Sequence, residues 1–233
     1  MTHATKLLIP GLLSDAVVWQ PLIEAISGNA IVADLSTRDN LTDMARDCLS
    51  AFDSPLLVAG HSMGARVAME MARLAPERIE RLALLDTGIH PLREGELEKR
   101  LEIVRFAHER GMAELAERWL PGMVWEPNRL NTTLMNTLTD MVHRMNPDLH
   151  ERQITALVDR PDASQYLGDI ACPVLLVVGR QDQWSPVSQH EDMLRLLPDA
   201  QLEIIEGAGH FSLLEQPEKV AGITAEFLIS NRL

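Results

Sequence analysis

Short apolar runs alternate along this chain with longer stretches in which apolar residues recur at helical spacing. Six runs read as strands: Lys6–Pro10, Ala30–Leu35, Leu56–Ala59, Leu82–Asp86, Val174–Gly179 and Leu202–Glu206. Each is apolar almost throughout, the pattern of a parallel strand covered on both faces. Helical patterns at Val17–Ile26, Leu41–Phe52, Ala65–Leu74, Ser188–Leu197 and Pro217–Ile229 lie between or after them. Pro21, Pro76, Pro186, Pro198 and Pro217 fall near helix ends, where proline is tolerated. The alternation predicts an α/β fold: about six mostly or wholly parallel strands, flanked by helices and joined by right-handed crossovers.

The stretch from Ile89 to Tyr166 breaks this rhythm. It carries no strand pattern, only helical segments at Arg93–Arg110, Met112–Leu120, Leu130–Met145 and Leu149–Val158. Gly111, Pro121-Gly122, Pro127-Asn128 and Pro147 separate them. A helical insertion between two strands reads as a lid. The expected division is therefore residues 1–88 and 167–233 for the core and 89–166 for the lid.

Composition narrows the function classes. The chain has 233 residues, 46% of them hydrophobic, which suits one globular domain with a substantial core. Its 34 acidic and 21 basic residues give a formal charge of −13, which argues against a nucleic-acid partner. No stretch approaches the ~20 apolar residues of a membrane span. The apolar run Leu7–Leu13 is interrupted by Pro10-Gly11 and followed by Asp15, unlike a signal peptide. Cys48 and Cys172 form no C-x-x-C pair and read as thiols in a reducing compartment. The expectation is a cytoplasmic protein without a membrane partner, monomeric or homodimeric. His3, His90, His108, His143, His150 and His190 share no ligand spacing, so no metal site is expected.

Chemistry concentrates at three strand ends. Gly60-His61-Ser62-Met63-Gly64 reads G-x-S-x-G between a strand and a helical pattern. That context lets a serine on a sharp turn project its hydroxyl above the sheet. A serine hydroxyl needs a base to take its proton, and the base needs an acid to orient it. Asp182 follows the strand ending at Gly179, and His210 follows Gly207-Ala208-Gly209 after the last strand. Sites in parallel α/β sheets gather at the carboxyl ends of strands, which would bring Ser62, Asp182 and His210 to one edge. Each also has a plainer role: Ser62 in a glycine-bordered turn, Asp182 as a turn or N-cap residue, His210 as a loop residue packed beside Phe211. Asp86, at the end of another strand, is the competing acid.

With these motifs, the loop Pro10-Gly11-Leu12-Leu13-Ser14-Asp15 and the order Ser…Asp…His, the chain resembles the α/β-hydrolase superfamily, in its small lidded esterase/lactonase-like branch. The resemblance covers nearly the whole chain. It implies a hydrolase acting on a small carboxylic ester or lactone through an acyl-enzyme, with no cofactor and a small acyl compound as the partner. It places the oxyanion donors at the backbone N–H groups of Leu12 and Met63. The alternatives on the same triad are C–C bond hydrolysis, cofactor-free haloperoxidase chemistry, or a slow or non-catalytic small-ligand receptor. The chain departs from the family in having Pro10-Gly11 where relatives often have His-Gly. The two strands that precede this loop in larger relatives are not expected here.

The lid should set specificity. Trp119, Met123 and Trp125, with Phe211 from the core, are the candidate substrate contacts. Met112, Met135, Met141 and Met145 suit the same malleable pocket or the packing of lid on core. Arg93, Arg129 and Arg144 are candidates to receive a substrate carboxylate, against the plainer reading of solvated or glutamate-paired arginines.

Overall fold

The structure, a computed structural model, describes residues 4–26 and 29–230. His3 lies outside the described residues. Six strands form one sheet in the order β2-β1-β3-β4-β5-β6. They are β1 (Thr5–Ile9), β2 (Ala30–Val32), β3 (Leu56–His61), β4 (Ile79–Leu85), β5 (Val174–Gly179) and β6 (Ala200–Ile205). Every pairing is parallel. The expected α/β architecture is therefore present, with a shorter β2 and with β3 extending through Gly60 and His61.

Helices cover both faces. On one side, α2 (Leu41–Ser50), α3 (Met63–Leu74) and α7 (Val187–Leu196) pack against Leu7, Ile9, Val58, Leu82, Leu84 and Leu176. On the other, α1 (Gln20–Ala25) and α9 (Pro217–Ile229) pack against Leu8, Ala59, Ala83, Leu85, Leu175 and Val177. Alternate residues of each strand thus face opposite layers, as the period-2 geometry of a strand dictates. Asn40 caps α2 by accepting from the N–H groups of Thr42 and Asp43, satisfying two donors that a helix start leaves free.

Between β4 and β5 lie α4 (Glu96–Trp119), α5 (Thr132–His143) and α6 (Pro147–Val158). Two of the separately predicted segments join in α4, but Gly111 breaks the helix inside it with φ +81° and ψ 175°. Asn131 and Asn146 cap α5 and α6, so both start near the predicted turn signals. Met112 and Met141 are buried in the core, and Met135 and Met145 pack against it, so these four serve packing.

Close strand–helix packing explains the glycines around Ser62. A Cβ on Gly64 would stand 2.1 Å from the carbonyl oxygen of Ile9, and one on Gly60 2.5 Å from Cα of Ala65. Both obstacles are backbone and cannot rotate away. Gly64→Ala is expected to destabilise the protein by about 3 kcal/mol or more, read as a lower midpoint in urea unfolding. An unchanged midpoint would contradict this packing account.

Candidate active site

Parallel strands bring their carboxyl ends to one edge, and the register sets the loops side by side. Ile9 pairs with Gly60 and His61 with Leu85. The chain then turns sharply at three non-glycine residues with positive φ: Leu13 (53°), Ser62 (54°) and Asp86 (48°). Such backbone costs on the order of 1–3 kcal/mol per residue and persists only where neighbours enforce it. Here they do. Ser62 N–H donates to the carbonyl of Leu85 (2.9 Å), and the Thr87 hydroxyl donates to the Ser62 carbonyl (2.9 Å). Leu13 N–H donates to Oε1 of Gln153, a residue of α6 (2.9 Å).

The three residues singled out in the sequence meet. His210 Nε2 lies 2.8 Å from Ser62 Oγ, and His210 Nδ1 lies 2.8 Å from Asp182 Oδ2. The other carboxylate oxygen, Oδ1, accepts from the N–H groups of Trp184 (2.8 Å) and Ser185 (2.9 Å). One carboxylate oxygen of Asp182 thus holds the turn and the other faces the His210 imidazole. Burial alone would raise the Asp182 carboxyl and lower the His210 imidazole. Their mutual attraction and hydrogen bond outweigh this, so Asp182 sits below the usual carboxylate value and His210 above the usual imidazole value.

Asp86 lies beneath this chain rather than in it. It accepts from Gly179 N–H (3.0 Å), Ser212 N–H (3.1 Å) and Ser212 Oγ–H (2.6 Å). It thereby ties the end of β4 to the segments that carry Asp182 and His210. Burial first, and then the Asp182 carboxylate, push it up to about 8. His61 packs against the rings of His210 and Phe211 (centroids 5.4 Å in each case), and its Nε2–H donates to the His210 carbonyl (2.8 Å). Burial, then His210, lowers it to about 3, so it is neutral.

The His210 loop is braced from the inserted helical segment. His210 N–H donates to the Met123 carbonyl (2.7 Å). Glu215 in α8 (Ser212–Glu215) accepts from the N–H groups of Gly209 (2.9 Å) and Trp125 (3.0 Å) and from Nδ2 of Asn128 (2.8 Å). Neither Glu215 nor Gln153 stands out in the sequence. The partners of Glu215 are 6, 87 and 90 residues away and that of Gln153 is 140 away, so all but one of these contacts join distant segments.

A cavity of about 440 Å³ opens over Ser62 and His210. Leu12, Met63, Trp119, Met123 and Phe211 line it. Trp125 does not: its ring packs behind the His210 loop, where a Cβ on Gly207 would stand 3.1 Å from Cζ3. Of the arginines proposed for an anion, only Arg93 lines the cavity. Arg129 donates to the Val124 carbonyl (3.0 Å), and Arg144 pairs with Asp15 (2.8 Å). The backbone N–H groups of Leu12 and Met63 have no protein partner among the described residues. The N–H of Met63 is also the first of α3, at the positive end of the helix macrodipole. No group of three metal-binding side chains occurs among the described residues.

This strand–turn–helix with Ser62 at its apex, in a six-stranded parallel sheet, defines the class of protein. The chain belongs to the alpha/beta hydrolase family, whose sequence pattern matches residues 7–223. It is 26% identical over 185 residues to sn-1-specific diacylglycerol lipase ABHD11 of Mus musculus, a match covering 75% of this chain but only 59% of that enzyme. It is 26% identical to pimeloyl-[acyl-carrier protein] methyl ester esterase of Photobacterium profundum, over 95% of this chain and 93% of the relative. Among solved structures, a thermophilic esterase from Thermogutta terrifontis superposes with a TM-score of 0.88 at 26% identity, covering 97% of this chain and 90% of the other.

Proposed function

We propose that this protein is a serine hydrolase that cleaves a small carboxylic ester or lactone through an acyl-enzyme. The observation that carries the reading is the unbroken chain Asp182–His210–Ser62, with both links at 2.8 Å. In it, His210 Nε2 takes the Ser62 proton as Oγ attacks the substrate carbonyl, and Asp182 holds the imidazole and stabilises its charged form. The free N–H groups of Leu12 and Met63 receive the oxyanion, which needs donors fixed before charge develops. His210 returns the proton to the leaving alkoxide, then activates water to release the acid. No cofactor enters this scheme.

Residues 89–166 act as the lid in this reading. They supply Trp119 and Met123 to the cavity and brace the His210 loop through Met123 and Asn128. A cavity of this size suits a small-molecule substrate. Among the described residues no helix is long and apolar enough to cross a membrane. Cys48 and Cys172 are free thiols, which suits action in the cytoplasm. The protein works as a monomer or homodimer.

Steady-state hydrolysis of p-nitrophenyl esters of rising acyl length, beside simple lactones, tests the reading. Turnover with a chain-length optimum supports it; no turnover of any ester or lactone contradicts it. The pH profile is a second check. The base must be neutral to act, and His210 titrates above the ordinary 6.5. kcat/KM is therefore expected to fall on acidification with a midpoint above pH 6.5. Asp182→Asn removes the main influence raising that value, and the midpoint moves down. A wild-type midpoint below 6.5 would contradict the pairing.

A further inference from the structure

The cavity over Ser62 is charged in a way the rest of the molecule is not. The chain as a whole carries a formal −13. Yet five of the cavity's lining residues are cationic (Arg66, Arg93, Lys99, Arg100 and Arg160), against two carboxylates, Glu94 and Glu96. The carboxylate of Glu96 is fully engaged: Oε1 accepts from Arg100 Nε (2.7 Å), and Oε2 accepts from Arg160 Nη2 (2.7 Å) and from Arg93 N–H (3.1 Å). Arg160 is also satisfied by the carbonyls of His90, Leu157 and Pro91 at 2.6–2.9 Å. It serves as a strut.

Arg66 is different. It sits in the first turn of α3, four residues after Ser62, so its Cα is on the order of 6 Å along the helix from the proposed nucleophile. Its guanidinium makes one hydrogen bond, from Nη2 to the His90 carbonyl, at 3.2 Å. No carboxylate pairs with it among the described residues, and its Nε and Nη1 have no protein partner there. Burial, then the neighbouring Arg160 and Arg100, lower it to about 9, outweighing the weaker attraction of Tyr166 and Glu96, neither of which hydrogen-bonds to it. A planar donor fork left free in a cavity fits a carboxylate in bidentate geometry. The low-dielectric walls strengthen that attraction.

We infer that Arg66 forms an anion subsite beside Ser62, and that the substrate is an ester or lactone carrying a carboxylate on one half. Arg100 stands behind it, held by Glu96, and Arg93 and Lys99 line the exposed part of the same cavity. Trp119, Met123 and Phe211 supply apolar contact for the uncharged half. The substrate class rests on the serine-hydrolase reading; the anion site does not.

Two matched pairs of esters locate the charge. Mono-p-nitrophenyl glutarate against p-nitrophenyl pentanoate places it on the acyl half. The butyrate ester of 4-hydroxybenzoate against phenyl butyrate places it on the alcohol half. Wild type is expected to favour the anionic member of one pair in kcat/KM. Arg66→Gln should lower that anionic-to-neutral ratio by about 10- to 100-fold, with Arg66→Lys in between. Glutarate binding, followed by calorimetry, should weaken about 10-fold or more in Arg66→Gln. Should that variant fail to fold, Arg66→Lys and the wild-type ratios carry the test. Turnover of neutral esters without preference in either pair, and without glutarate binding, overturns the subsite and leaves the hydrolase reading standing. No turnover at all, with glutarate still bound through Arg66, has the opposite meaning.

Discussion

Ser62→Ala is expected to abolish ester turnover, lowering kcat by roughly four to six orders of magnitude. In the proposed mechanism the attacking oxygen is then gone, and the alanine methyl has no proton to give His210. Little else should change. Ser62 is held through its backbone N–H and carbonyl, by Leu85 and Thr87, and these bonds survive the substitution. The variant should therefore unfold near the wild-type midpoint and still bind substrate. A residual rate within about tenfold of wild type would mean that another group performs the attack.

A contrast between two buried aspartates has the next largest expected effect. Asp182→Asn should lower kcat by about 10,000-fold, because an amide facing Nδ1 favours the wrong imidazole tautomer and removes the charge that stabilises imidazolium. Asp86→Asn should cost far less in rate. Asp86 has no hydrogen bond to His210, and burial together with Asp182 already keeps its carboxyl up to about 8. Its loss should appear as stability instead, since the amide nitrogen cannot accept from Gly179 or Ser212. A breakage of that kind costs about 1–3 kcal/mol. Comparing kcat and the urea midpoint of the two variants checks both halves. Equal losses of kcat would undo the assignment of the acid.

Much of this site is legible in the sequence because its signals are local. The apolar runs fix five strands to within a few residues, most closely β5, which is buried throughout and has no polar positions to blur its ends. β4 is less sharp: Arg81 and Glu80 interrupt the apolar pattern, so Ile79 is missed as its start. The elbow is legible because Gly60 and Gly64 answer close backbone contacts, and the chain order of Ser62, Asp182 and His210 follows from where strands end. The Gly111 break is legible too: its backbone leaves the helical region at φ +81° and ψ 175° and kinks α4 there.

What stays hidden depends on contacts between distant segments. Arg66 reads as one polar position of an amphipathic helix, and only the folded chain turns it into the cavity rather than into water. Arg100 and Arg160 become its neighbours because both reach the carboxylate of Glu96, and Arg160 lies 64 residues from it. Trp125 illustrates the converse. Its position in the inserted segment suggested substrate contact, but Gly207 leaves room for its ring behind the loop, and Glu215 holds its backbone there.

The central claim is that Ser62 is an activated nucleophile, and a fluorophosphonate probe tests it most directly. After reaction at neutral pH, intact mass and peptide mapping should show one adduct, on the peptide containing Ser62, absent from Ser62→Ala and strongly slowed in His210→Ala. No adduct, or an adduct on another residue, would contradict the account.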